Sequence, residues 1–433
     1  MKPRFWIVPV LVVGLALHNL VMSLLYGAGL RGHALTAVGG WKDVLLAVAL
    51  AWFAVDAVRR RELPFRPNVV DALAAAFAAV VVVYALIPQS VLGGRAEATA
   101  IAYAARHALL PVAAYFLGRA LGPLPRAIGW WVLGAAAAVA LFGLVEVYVV
   151  SLDTWRSSGA KGWFQDQLAF DYKGLSGLPE NFVYNEGNDR IVRRLVATFL
   201  SPLATAYMLC VAVLLAAAWR RRWAFPLAAV AFAGLLWTYS RSSWIALVAG
   251  LLVLAGVQRR WQPAAAAIAT VAVCGAFAAA FTHLAPRAHF TPAELRIQHD
   301  LAKGRPAEVS IANDASTRSH WRNLRDGVET VVRHPQGYGL GNSGSTAARF
   351  GVKLQAGEST YTELGVDAGV VGLTLFVALN LALLVRLVYR SAWLAASLVA
   401  ALVLGVQTDV IGVPWLAVCL WLFAGAESRI LDA

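Results

Sequence analysis

The side chains equipped for chemistry in this sequence are carboxylates and guanidinium groups. Glu358, Glu363 and Asp367 follow one another at intervals of five and four residues where a long apolar run begins, which sets them roughly along one helix face. Acidic groups where a chain passes into a membrane are costly unless paired or functional. A carboxylate there would take the proton of an attacking hydroxyl, most readily if partial burial raises its pKa. Glu358 is the first such candidate; the competing reading is a helix N-terminus that favours negative side chains.

The guanidinium groups form two sets. Arg190, Arg193 and Arg194 immediately precede the run Leu195-Val196-Ala197-Thr198-Phe199-Leu200-Ser201-Pro202, and Arg241 sits among Ser240, Ser242 and Ser243 between two short apolar segments. Guanidinium forks match phosphate oxygens, so both sets read as anion-binding. The alternatives are interface anchoring or helix capping for the first set, and a salt bridge from Arg241 to Asp367 or Asp409. Arg318 and His320-Trp321-Arg322 lead through Arg325 to His334. Trp321, Leu324, Val328 and Val331-Val332 recur there at helical spacing, which predicts an amphipathic helix lying over the site. Arg318 and His334 join the substrate-binding candidates, although a histidine before Pro335 equally fits capping or packing. Arg106 falls within an apolar run and must face protein or a water-filled cavity. His18, Asn19, His107, Glu146 and Asn380 read as interhelical hydrogen-bonding groups.

The elements that must hold these residues are membrane helices. The chain has 433 residues, 60% hydrophobic and 14% charged, with a mean hydropathy of +0.65. A soluble domain carries about 25% charged residues. Apolar runs of about 20 residues recur throughout, each long enough to cross roughly 30 Å of hydrocarbon, and they do not alternate as barrel strands do. The expected fold is all-α: a polytopic membrane protein of about twelve transmembrane helices. Residues 1–281 are assigned helices one to nine, including an outer loop at 151–194 with a sixth span over about Leu195–Ala218. Residues 282–360 form a large outer loop, and 361–433 hold helices ten to twelve. The basic clusters at Arg59–Arg61, Arg126, Arg220–Arg222, Arg259-Arg260 and Arg386–Arg390 then share one side, which the positive-inside rule makes cytoplasmic together with both termini. Residues 151–194, Arg241, 282–358 and Asp409 fall on the outer face.

The net charge of +13 is explained by those cytoplasmic clusters and an anionic substrate, without nucleic acid. Cys210, Cys274 and Cys419 lie inside apolar runs and read as small packing residues. Met1-Lys2-Pro3-Arg4 precedes an apolar run with no small-residue cleavage site, so the first span is expected to be uncleaved. Neither a Walker phosphate loop, nor zinc-ligand spacing, nor a Gly-x-Ser-x-Gly elbow stands out, and no internal repeat is visible.

Four ordered patterns resemble the O-antigen ligase/polymerase superfamily of bacterial membrane glycosyltransferases. They are Arg194-x-x-x-Thr198-Phe199-x-x-Pro202; Ser240-Arg241-x-x-Trp244; Arg318-x-x-Trp321 with His334-Pro335-x-Gly337-x-Gly339-x-Gly341; and Glu358-Ser359-x9-Gly369-x-x-Gly372. The resemblance implies a GT-C-like helical fold with a large periplasmic helical loop. It also implies an inner-membrane protein whose active site is periplasmic. Arg194 and Arg241 would hold the diphosphate of an undecaprenyl-diphosphate-linked oligosaccharide and act as catalytic charges beside Glu358. Arg190, Arg193, Arg318, His334 and Arg106 would bind substrate. The family's ligases carry a histidine at the place of Glu358, and its polymerases often lack it, which tilts the expectation toward polymerisation of O-antigen or exopolysaccharide units.

The implied acceptor is a second lipid-linked glycan; for a ligase it is the lipid A–core or a protein hydroxyl. Neither cofactor nor metal is expected, because the undecaprenyl diphosphate belongs to the donor. Membrane lipid and a chain-length regulator are the other expected partners. A transporter of lipid-linked glycans is the competing class; it predicts charge along a path through the bilayer, whereas here charge gathers at one face with Arg106 near midplane.

Overall fold

The computed structural model describes residues 3–170, 177–178, 182–185, 191–296 and 315–428, the side chains of residues 3, 185 and 315–319 excepted. Twelve apolar helices make the body: α1 (Ile7–Gly27), α2 (Trp41–Arg60), α3 (Val69–Leu86), α4 (Ala98–Leu121), α5 (Ala127–Val149), α6 (Pro202–Trp219), α7 (Ala224–Trp237), α8 (Arg241–Gln258), α9 (Trp261–Leu284), α11 (Thr360–Arg390), α12 (Ala392–Leu404) and α13 (Pro414–Glu427). The amphipathic helix α10 (Ala315–Arg333) interrupts them. Among the described residues, eight helices are long and apolar enough to cross a membrane, and the short helix Gly32–Gly39 with α2 makes a ninth, bent by 45°. The helices α7, α12 and α13 have 14, 13 and 14 residues. At 1.5 Å per residue each is about 20 Å long, shorter than the hydrocarbon core.

The last helix lies at the centre. Residues 415–426 of α13 are all buried, and Trp415 Nε1 donates to the Val12 carbonyl at 3.0 Å. A helix apolar all round belongs in an interior. Its close approach to α4 runs through Gly118 and Gly425: a Cβ at either would strike the partner helix's backbone. On α4, Arg119 is buried with a bidentate grip on Asp71 (2.8 Å for both contacts). Asp71 also closes the capping box that starts α3, accepting the Asn68 N–H at 2.8 Å.

Two local departures from the expected layout matter. The sixth span starts at Pro202, not Leu195, because Ser201 caps it and Pro202 takes the first helical position. The residues before it are extended: β1 (Val183–Asn185) pairs antiparallel with β2 (Ile191–Arg193), and Val192 bridges to Arg287. Arg193 N–H donates to the Pro286 carbonyl, Arg194 N–H to Phe182 and Leu195 N–H to Trp237, at 2.8–3.0 Å. The arginine strand is therefore pinned on several sides.

The second departure is a break in α11 at Gly369, with φ +65° and ψ −179°. The glycine-rich segment after α10 docks into the break. Tyr338 N–H donates to the Val366 carbonyl at 2.7 Å, and Val370 N–H donates to the Pro335 carbonyl at 2.8 Å. The approach is so close that a Cβ on Gly337 would meet Gly369, and one on Gly369 would meet Gln336 and the Tyr84 hydroxyl. Irregular backbone at membrane depth survives only where protein satisfies it, and here the loop does so.

Candidate functional site

Arg194 is buried, with Nε donating to the Thr238 carbonyl at 2.8 Å and Nη2 to Tyr239 at 3.3 Å. Those carbonyls belong to the turn that delivers Arg241 to the start of α8. Tyr239 holds φ +49°, a costly conformation for a bulky residue, and its ring stacks 4.1 Å from Phe281. Arg241 lies over the Tyr239 ring at 6.0 Å. Burial, with the Arg241 charge adding to it, lowers the Arg194 pKa to about 10, so the Arg194 guanidinium is still charged at neutral pH. The structure thus brings together two arginines that the sequence separates by two helices, α6 and α7.

A cavity opens where α4, α11 and the α12–α13 loop meet. Glu363 and Asp367 of α11, Asp409 of the α12–α13 loop and His107 of α4 line it, with Ser343 and Thr346. His107 Nε2 lies 2.9 Å from Asp409 Oδ2, and Asp409 Oδ1 accepts the Gly412 N–H at 3.1 Å. The Gly341 and Asn342 N–H groups both donate to the Asp367 carboxylate at 3.2 Å. The α12–α13 loop is tied to the head of α11: Thr360 Oγ1 donates to Thr408 at 3.0 Å and accepts from Val410 N–H at 2.9 Å. Tyr207, buried on α6, lies within electrostatic reach of both Arg194 and Asp409, which puts the arginines and the cavity in one neighbourhood. Among the described residues, no group of three or more His, Cys, Asp or Glu is arranged to hold a metal ion.

Glu358 stands just before α11 with φ +67°, its Oε2 2.5 Å from His320 Nδ1 on α10. The hydrogen bond from His320 outweighs partial burial and holds this carboxyl below the usual carboxylate range. The position where the resemblance expects a histidine therefore carries a glutamate that meets a histidine from another helix. The expected amphipathic α10 lies against α11, with Gly327 on Thr362 and Val331 on Gly365. Trp321, Val328 and Val332 stay exposed.

The other candidates have structural partners. Arg193 turns inward to Glu146 (2.6 Å) and to the Val150 carbonyl (2.7 Å). Arg106 forks onto Asp43 at 2.8 and 3.0 Å. His334 Nε2 lies 2.9 Å from the Leu92 carbonyl and its ring stacks on Tyr338 at 4.0 Å, a packing arrangement. Arg190 and the Arg318 side chain lie outside the described residues. Asp409 and His107 were visible in the sequence only as isolated polar residues. Their meeting depends on α4 and the α12–α13 loop converging, which no spacing encodes.

Comparison with known proteins adds one finding. Residues 226–377 match the family model described as O-antigen ligase. The match takes in Arg241, His334, Glu358 and Gly369; Arg194, His107 and Asp409 lie outside it. No curated protein matches the chain.

Proposed function

We infer, from a chain whose residues 226–377 belong to the O-antigen ligase/polymerase superfamily, that this multi-pass membrane protein transfers a glycan from undecaprenyl diphosphate to an acceptor hydroxyl. The site faces the periplasm of a bacterial inner membrane. The observation that carries this reading is the pairing of Arg194 with Arg241 beside a cavity of carboxylates. Two fixed cations suit a diphosphate; carboxylates suit the proton of an attacking hydroxyl.

In this mechanism the acceptor O–H bond breaks and its proton passes to a carboxylate. The freed oxygen pair bonds to the anomeric carbon, and the bond from that carbon to the diphosphate oxygen breaks, its electrons leaving with the diphosphate. Arg194 and Arg241 offset the charge that develops there. Arg194 is held by two backbone carbonyls before substrate arrives, so little reorganisation is needed. The proton acceptor is Asp409, backed by His107. Glu358, engaged by His320 and held below the ordinary range, is a weak base; it orients the acceptor at the rim. The leaving group travels with the donor, so the mechanism uses neither nucleotide nor metal.

The glutamate at 358 supports polymerisation of lipid-linked repeat units. Transfer to lipid A–core is the second reading, supported by the description of the matching family. The test is purified protein with one lipid-diphosphate-linked repeat unit, its products resolved on a gel. A ladder of lengths supports the polymerase; transfer only after lipid A–core is added supports the ligase. Arg194→Ala and Arg241→Ala are each expected to abolish transfer in folded protein, and full activity in both variants overturns the diphosphate site.

A further inference from the structure

A second cleft opens at the head of α4. Arg95, Glu97, Thr99, Phe350 and Lys353 line it. Beside it, the Arg349 guanidinium lies 4.5 Å from the Tyr103 ring centroid and 5.5 Å from that of Phe350. Two cations, Arg95 and Lys353, thus share the cleft with one carboxylate, Glu97, while the third, Arg349, lies beside it; among the described residues none of the three forms an ion pair. Arg95 and Lys353 are exposed, and Phe350 is 37% exposed. The Arg95 backbone is fixed, its N–H donating to Asn342 Oδ1 at 2.8 Å.

The cleft and the cavity are stacked along the same two elements. On α4, Thr99 lines the cleft, Tyr103 follows four residues on, and His107 lines the cavity after four more. Those positions share one helix face, and eight residues of helix span about 12 Å. Opposite them, Thr346 lines the cavity and Phe350 the cleft. A molecule with its head in the cleft would reach down α4 to His107 and Asp409. Cations recognise phosphate, and aromatic faces accept the C–H faces of sugar rings.

We propose that the cleft of Arg95, Lys353 and Phe350, with Arg349 and Tyr103 beside it, binds the phosphorylated head of the acceptor glycan. The proposal rests on the transfer reading above for the word acceptor, but the phosphoglycan site stands on its own geometry. Two sources share that chemistry: the diphosphate of a second lipid-linked repeat and the phosphorylated core of lipid A.

The test measures binding without transfer. Full-length protein in nanodiscs is titrated with two soluble probes, a repeat-unit oligosaccharide diphosphate and a delipidated phosphorylated lipid A–core oligosaccharide, each also after phosphatase treatment. The titrations are made on an Arg241→Ala background, so that donor-site binding does not mask the cleft. At least one phosphorylated probe is expected to bind tighter than its treated form. Arg95→Ser/Arg349→Ser/Lys353→Ser is expected to weaken it by about tenfold or more, the scale of lost charge-assisted hydrogen bonds. The single variant Lys353→Arg, which keeps the charge, is expected to bind as its parent does. The probe affected identifies the acceptor source. Equal binding of treated and untreated probes, or unchanged binding in the triple variant, overturns the site. Loss of transfer in Arg194→Ala is read separately and bears only on the donor site.

Discussion

The N–H of Val370 and the carbonyl of Val366, which an unbroken α11 would pair with each other, are both satisfied by the loop between Pro335 and Tyr338. Gly369, between them, takes a conformation that other residues adopt at a cost of about 1–3 kcal/mol. A side chain there would also push against Gln336 and Tyr84. Gly369→Ala is therefore expected to lower the melting temperature of purified protein and reduce transfer, whereas Gly134→Ala, where a methyl group meets nothing within 4 Å, is expected to leave both unchanged. Thermal unfolding of the two variants in detergent checks this.

Arg193 and Glu146 form a buried pair at 2.6 Å. Removing one partner strands a charge, at about 3–5 kcal/mol. Arg193→Ala is expected to fall in yield and thermal stability, with any loss of transfer following the loss of folded protein. Arg193→Met/Glu146→Gln is expected to recover most of the stability. Low transfer in a double variant as stable as the parent would instead make Arg193 a substrate contact.

Glu358 ties α10 to the head of α11 through His320. Its carboxyl titrates below the ordinary 4.5, so the fold favours the anion. The stability this adds is complete above pH 4.5 and is lost as pH falls through the lower folded value. Hydrogen exchange of residues 320–333 is expected to quicken below that pH in the parent protein. In Glu358→Gln it should be fast and insensitive to pH across the same window.

Asp409 and Glu358 separate the two roles proposed for carboxylates. Asp409→Asn is expected to lower the rate of transfer at saturating substrate by about a hundredfold or more, the scale of general-base catalysis. Glu358→Gln is expected to act mainly on the acceptor concentration needed for half-maximal rate. Steady-state kinetics with donor held saturating distinguish them, and the reverse pattern would return Glu358 to the role of base.

Much of this arrangement was legible in the sequence because membrane helices are written in long apolar runs. The twelve apolar helices, the polar mass between α9 and α11, and the amphipathic stripe of α10 all follow from periodicity and length. What was hidden depends on packing. Arg193 and Arg194 are neighbours, yet Arg193, the last residue of β2, turns toward Glu146 and Arg194, just past it, toward the Arg241 turn. Strand alternation would have suggested opposite faces, but a three-residue strand beside Pro202 gives no readable pattern. The carboxylate cavity was hidden for a different reason: its four members come from three parts of the chain, and only Glu363 and Asp367 share a helix.

The interlock of the 335–342 segment with α11 sets how such a protein can be rebuilt. The loop anchors through Gln336 to Tyr84 and through Asn342 to Gln89, at 2.7 Å in each case. A chimera whose transplanted 335–342 segment does not fit these neighbours would leave the Val366 carbonyl and the Val370 N–H, in the buried break of α11, without partners. The loop is therefore seated by Tyr84, Gln89 and α11 together, and moving it means moving those residues as one block.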